Sequence, residues 1–251
     1  MFVKLLAIVL YIGIVKCGVN YRIVNGTPAI KNEFPFVVSI RSRLDNHDCG
    51  GSILDKDTIL TAGHCVCGYT EPYPTIQYGV LNISIDGQTV IRMKEIICHE
   101  DYTVYNNDYA HNDIALVKLA TSMILGENAR PVQLPSRDFV AGAWAPAVLV
   151  GWGLNDTEGS VQPNLQKVNI EIIPMDFCDA AYPGRLVESN ICAGLVEGGK
   201  GQCNGDSGGP LMVDGFQVGI VSWSEKPCAS ASLPGVFSRI TSFVDWIDTH
   251  K

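Results

Sequence analysis

The segment "GGKGQCNGDSGGP", Gly198 to Pro210, places one serine in a run with six glycines in thirteen residues. A free serine hydroxyl is a poor nucleophile at neutral pH and needs an adjacent base. Imidazole titrates near the working pH and suits that task. "LTAGHC" supplies His64, and "NDIALVKL" supplies Asp113. Taken singly, each has a plainer reading: the serine as a turn, the histidine as structural, the aspartate as a cap. Together they form a nucleophile, a base and an orienting carboxylate. His64 would take the Ser207 proton on attack and return it to the leaving amine. Asp113 would fix the imidazole tautomer and offset its developing charge. The glycines around Ser207 would let the backbone turn sharply, so that backbone N–H groups can face one oxygen. Losing one such donor costs about 2.7–4 kcal/mol of transition-state stabilisation. His47, His99, His111 and His250 are expected to take no part in catalysis.

The elements that must hold these residues read as short strands. "FVVSI", "TILTA", "TVIRM", "IALVKL", "PAVLVGWG" and "LQKVNIEII" are β-branched-rich runs of strand length. "PLMVDGFQVGIVSW" carries Asp214-Gly215 between two apolar runs, a hairpin signal. Helical periodicity is missing until the end, where Ser242 to Asp245 resembles a capping box and Phe243, Trp246 and Ile247 share a face. The chain therefore reads as all-β with a C-terminal helix, a barrel or a sandwich. "ARPVQLPSRD", Ala129 to Asp138, is the best candidate linker between two halves.

The 251 residues are 47% hydrophobic, enough for one large or two small cores. A formal charge of -8 gives no general attraction for nucleic acid or anionic membranes. Lys4 and the apolar run Leu5 to Val15 are too short to span a bilayer and read as a secretory leader, residues 1–17. Removing Cys17 from nine cysteines leaves eight, an even number that suits up to four disulfides in an exported chain. Cys65-Val66-Cys67 does not match zinc-knuckle spacing. The sequons at Asn25, Asn82 and Asn155 permit glycosylation.

Six motifs occur in order: "RIVNG", "TAGHC", "DIAL", "GWG" (Gly151–Gly153), "GDSGGP" and "SWS" (Ser222–Ser224). Over Ile23 to Lys251 the chain resembles the chymotrypsin-like serine proteases. The resemblance implies two six-stranded antiparallel β-barrels with the active site in the cleft and a short C-terminal helix. The first barrel would span about 23–128 and the second about 139–251. His64 and Asp113 would come from the first barrel, Ser207 from the second, with the Gly205 and Ser207 N–H groups as the oxyanion donors and Ser222, Trp223 and Ser224 along the substrate backbone. Gly63 stands where the family usually has alanine, implying a modest effect on His64 orientation.

"YRIVNG" resembles the family's activation junction. A cut after Arg22 would remove a pro-segment, residues 18–22, and free the Ile23 ammonium to pair with Asp206. By the same resemblance Gly201 lies at the base of the specificity pocket, where trypsin-like members carry aspartate. Without that charge, Arg or Lys would lose its partner and be costly to desolvate. Ser224 and Gly235 would form the walls of an open, uncharged slot for large apolar or aromatic residues. Gln202 is the unusual wall residue: it would either shorten the pocket for small residues or bond a polar group. The implied disulfides are Cys49–Cys65, Cys178–Cys192 and Cys203–Cys228; the remaining Cys67 and Cys98 are expected to bridge each other. The loop 79–90 has only Asp86 as a carboxylate, so no structural calcium is expected, and no metal or cofactor elsewhere. The expected partners are protein substrates, a trypsin-like activating protease and protein inhibitors, with the enzyme a secreted monomer. The alternatives are small-residue specificity on the same fold, or a non-catalytic homologue, though such homologues usually lose a residue of the triad.

Overall fold

The computed structural model describes residues 23–85, 89–106 and 108–251. The expected leader, the pro-segment with Arg22, and Asp86 lie outside the described residues.

Short strands follow one another along the chain. They are β1 (Thr27–Pro28), β2 (Val37–Arg41), β3 (His47–Asp55), β4 (Thr58–Thr61) and β5 (Thr75–Tyr78). Next come β6 (Val90–Cys98), β7 (Thr103–Tyr105), β8 (Tyr109–His111), β9 (Ala115–Leu119) and β10 (Pro146–Gly151). The last are β11 (Gln166–Ile173), β12 (Asn190–Gly194), β13 (Pro210–Val213), β14 (Phe216–Trp223) and β15 (Gly235–Arg239). Three short helices are α1 (Gly63–Val66), α2 (Met175–Ala181) and α3 (Val244–His250).

Strands β2-β3-β4-β9-β6-β5 close into one six-stranded barrel. Strands β11-β10-β13-β14-β15-β12 form the second, closed by the β11–β12 pairing, and every pairing is antiparallel. The period-2 pattern explains the inward faces: in β11, Val168, Ile170 and Ile172 are buried, while Asn169 and Glu171 are exposed. Closure removes the free edges that an open sheet would present. The β13–β14 hairpin turns at Asp214 and Gly215, both with positive φ (51° and 84°), as a tight turn of matching twist requires.

The two halves exchange their ends. β1 pairs with β11, and Ile23 is fully buried in the core of the second barrel, although the resemblance put this stretch in the first. Conversely, Ile240, Phe243 and Ile247 pack into the first barrel's core. Each such side chain contributes roughly 1.5–3 kcal/mol by burial. The Ser242–Asp245 capping box is absent. A 3-10 turn, Ile240–Ser242, runs directly into α3, and Phe243 takes the cap position with no side-chain cap. Residues 129–138 contain no strand; Val132 N–H donates to Ile53 O and Gln217 N–H to Gln133 O, tying the segment to both barrels.

All four expected disulfides form: Cys49–Cys65, Cys67–Cys98, Cys178–Cys192 and Cys203–Cys228.

Candidate active site

His64 sits on the one-turn helix α1 after β4, and Asp113 lies in the connection between β8 and β9. Asp113 is buried and clamps His64 at two points. Its Oδ1 accepts from the His64 backbone N–H at 2.8 Å, and its Oδ2 faces His64 Nδ1 at 2.7 Å. Because a carboxylate accepts, Nδ1 carries the hydrogen; in the neutral ring Nε2 keeps its lone pair, and it lies 3.8 Å from Cys65 Sγ. The second barrel reaches across to hold the same residue: Ser222 Oγ–H donates to the carboxylate at Asp113 Oδ2 (2.5 Å), and Ser238 Oγ–H donates to the Asp113 backbone carbonyl (2.7 Å). The hydroxyl of Ser222 was not foreseen in this role, since only the fold brings β14 beside Asp113.

Burial works to raise the Asp113 pKa, but the His64 charge and the hydrogen bonds from His64 and Ser222 outweigh it and hold the carboxyl below its ordinary value. Burial also works to lower the His64 pKa, and the Asp113 charge and hydrogen bond outweigh that and hold the imidazole above its ordinary 6.5. Tyr102 packs where a side chain on Gly63 would sit: a Cβ there would lie 3.0 Å from its ring and 3.2 Å from Asp113 Oδ1. Burial and the neighbouring Asp113 charge push the Tyr102 hydroxyl up to about 12, so it stays neutral.

Ser207 lies between β12 and β13. It shares an open cavity of about 500 Å³ with His64, Gly205, Asp48 and Tyr69. Among the described residues no hydrogen bond joins Ser207 Oγ to His64. The backbone N–H groups of Gly205 and Ser207 likewise donate to no group among the described residues. Gly205 has φ +91°, a conformation that favours glycine. His47, expected to be a bystander, touches this turn: its Nε2–H donates to Gly205 O at 2.8 Å, and Ser39 Oγ–H donates to its Nδ1, also at 2.8 Å. Burial pushes His47 down to about 4, so it is neutral at physiological pH. Cys49 and Cys65 flank His64, but their sulfurs are joined to each other and offer no thiolate to a metal.

Asp206 is fully buried. Its carboxylate accepts from Gly153 N–H and Cys203 N–H, each at 2.9 Å. Gly151 and Gly153 are required here, because a side chain on either would strike the carboxylate. Among the described residues no cation forms an ion pair with Asp206, and burial pushes its pKa up to about 7. Ile23 is buried nearby in the chain's course: its neighbour Val24 bridges Gly201, five residues before Asp206.

The residues expected at the specificity pocket converge. Gly201, Gln202, Ser224 and Gly235 line one space, with Ala229 beside Gly201. Gln202 is 5% accessible and turns across that space. Its Nε2–H donates to Trp223 O at 2.8 Å, and its Oε1 has no partner among the described residues. A Cβ on Gly235 would fall 2.6 Å from Oε1, so glycine at 235 leaves the room that Gln202 occupies. About 10 Å³ remains. Beyond the pocket, Arg185 lies over the rings of Tyr109 and Trp223 and bonds Glu225 at 2.5 Å and Asp108. No short motif marks Arg185, because its partners come from distant segments.

The comparisons agree with this geometry. The trypsin family profile matches residues 23–247. The chain is 37% identical over 231 residues to the trypsin Blo t 3 of Blomia tropicalis, covering 90% of this chain and 84% of that one. It is also 37% identical to chymotrypsin-2 of Vespa crabro, over 91% of this chain and 100% of the relative. Among solved structures it resembles neuropsin, a serine protease of mouse brain, with a TM-score of 0.81, 29% identity, and coverage of 89% and 97%. The chain belongs to the trypsin family of serine proteases.

Proposed function

We propose that this chain is a secreted serine endopeptidase, made as a zymogen and activated by a cut after Arg22. The observation that carries the reading is the doubly bonded His64–Asp113 pair, in which Nδ1 faces the carboxylate and His64 shares a cavity with Ser207. Ser207 Oγ attacks the scissile carbonyl carbon while His64 Nε2 takes its proton. The carbonyl oxygen becomes negative and is met by the Gly205 and Ser207 N–H groups. The intermediate collapses to an acyl-enzyme, and His64 gives its proton to the departing amine. Water then repeats the sequence and restores Ser207.

The division of the chain follows the same reading: a leader at 1–17, a pro-segment at 18–22 and the protease domain from Ile23. Four disulfides suit an exported protein, and no helix among the described residues is long and apolar enough to cross a membrane. After the cut, the new Ile23 ammonium pairs with Asp206, the buried carboxylate that has no ion-pair partner among the described residues. Gly201 offers no charge to Arg or Lys, so another, trypsin-like protease makes the cut. Protein substrates and protein inhibitors are the expected partners of a monomeric enzyme.

Cleavage falls after an uncharged residue. A large apolar or aromatic side chain fits if Gln202 swings out of the slot. The position of Gln202 across the pocket favours the second reading, a shortened pocket for small residues. The test is to treat the purified proenzyme with trypsin, quench the trypsin, and assay amide substrates differing only before the cut. An Arg22→Ala proenzyme is the control. Turnover that is absent in the control supports the reading. Equal turnover without the cut contradicts the zymogen, turnover after Arg contradicts the uncharged pocket, and no turnover contradicts the protease.

A further inference from the structure

Gln202 leaves a specific chemical gap. Its amide is held one way round, because Nε2–H is committed to the Trp223 carbonyl. That leaves Oε1 as a buried acceptor against the Gly235 wall, without a donor among the described residues. A buried acceptor with no donor is unfavourable, and a ligand group that supplies the hydrogen recovers that loss. The remaining space of about 10 Å³ admits roughly one water-sized group. An aromatic ring does not fit it, and a methyl group fits without satisfying the oxygen. A cation would enter a pocket floored by Gly201, with no carboxylate to meet it.

We propose that Gln202 makes this a short, hydrogen-bond-accepting pocket, whose preferred occupant is a small hydroxyl side chain, serine or threonine, before the cut. The proposal rests on the serine endopeptidase reading and deepens it. The hydroxyl hydrogen would go to Gln202 Oε1, while Gly235 keeps the wall clear. Selectivity would come from the unmatched acceptor, which discriminates serine from an isosteric ethyl group more sharply than apolar area alone would.

The experiment uses the full chain, activated by cleavage after Arg22, and two readouts. The first is labelling of Ser207 by a small fluorophosphonate, which needs no particular pocket. The second is kcat/KM on peptide amides identical except for Ser, 2-aminobutyrate, Thr, Val, Ala or Phe before the cut. Ser is expected to exceed 2-aminobutyrate, and Thr to exceed Val, by about fivefold, the worth of one hydrogen bond. Phe is expected to fall below Ala. Gln202→Met keeps the length without the acceptor, and should bring the Ser to 2-aminobutyrate ratio near one. Gln202→Ser should open the slot and raise Phe above Ser by tenfold or more. Labelled wild-type enzyme that prefers Phe, or a Ser preference that survives Gln202→Met, overturns this proposal and leaves the protease reading intact. Failure to label Ser207 overturns both.

Discussion

Asp113 and Asp206 are both buried carboxylates beside the same cleft, and they end in opposite electrostatic states. Asp113 has an imidazole, a serine hydroxyl and a backbone N–H, and is held below its ordinary pKa. Among the described residues Asp206 accepts from two backbone N–H groups and forms no ion pair; burial outweighs these bonds and the smaller effect of the Lys226 charge, and drives it up to about 7. The difference teaches where the chain is already complete. The base and its orienter are assembled by the fold itself, with both barrels contributing. The turn bearing Ser207 is built around a carboxylate with no ion-pair partner among the described residues, a partner that the Ile23 ammonium would supply after the cut.

The sharpest way to break the first half of that comparison is Asp113→Asn. With the family's triad as template, it should lower kcat by about 10⁴-fold by presenting the wrong tautomer of His64. A loss below tenfold, measured on the activated enzyme, would remove Asp113 from the mechanism. Asp206→Asn addresses the other half. Activated enzyme should lose roughly 10²–10³-fold in kcat, the scale of one misplaced oxyanion donor.

The same substitution has a stability signature of opposite sign to the usual carboxylate. The folded pKa of Asp206 lies above its unfolded value, so the folded state binds more protons. Its contribution is fully favourable below about pH 4 and is lost as pH rises towards 7, by at most roughly 4 kcal/mol. Urea unfolding of the uncut Ser207→Ala protein should show that fall, and adding Asp206→Asn should flatten it. An unchanged pH slope would mean that the carboxylate is already compensated.

Smaller effects sharpen the contrast. Ser222→Ala removes one donor to Asp113 and should lower kcat about five- to tenfold with KM nearly unchanged. A change in KM alone would make Ser222 a substrate contact only. Since His64 must be neutral to act as base and is held above 6.5, the acid limb of kcat/KM should have its midpoint above 6.5. A midpoint below that value would mean that burial outweighs Asp113.

Much of this was legible in sequence where the physics is local. The β-branched-rich run "LQKVNIEII" marked β11, Asp214-Gly215 marked the β13–β14 turn, and the six motifs carried the fold and the family. What stayed hidden depends on long-range packing. β3, "HDCGGSILD", and β12, "NICAG", lack strong strand patterns and become strands because barrel neighbours complete their ladders. The exchange of chain ends is invisible in periodicity, since the apolar face of α3 does not say which barrel buries it. His47 and Ser222 gain their roles from partners 158 and 109 residues away. Gln202 was recognisable as unusual, but its direction depends on the Trp223 carbonyl and on the space at Gly235.

The most direct measurement is the rate of fluorophosphonate labelling, with the adduct located by mass spectrometry, before and after cleavage of the Arg22–Ile23 bond. The account predicts a single adduct on Ser207 that forms at least 100-fold faster after the cut. An adduct elsewhere, or equal rates in the two forms, would contradict it.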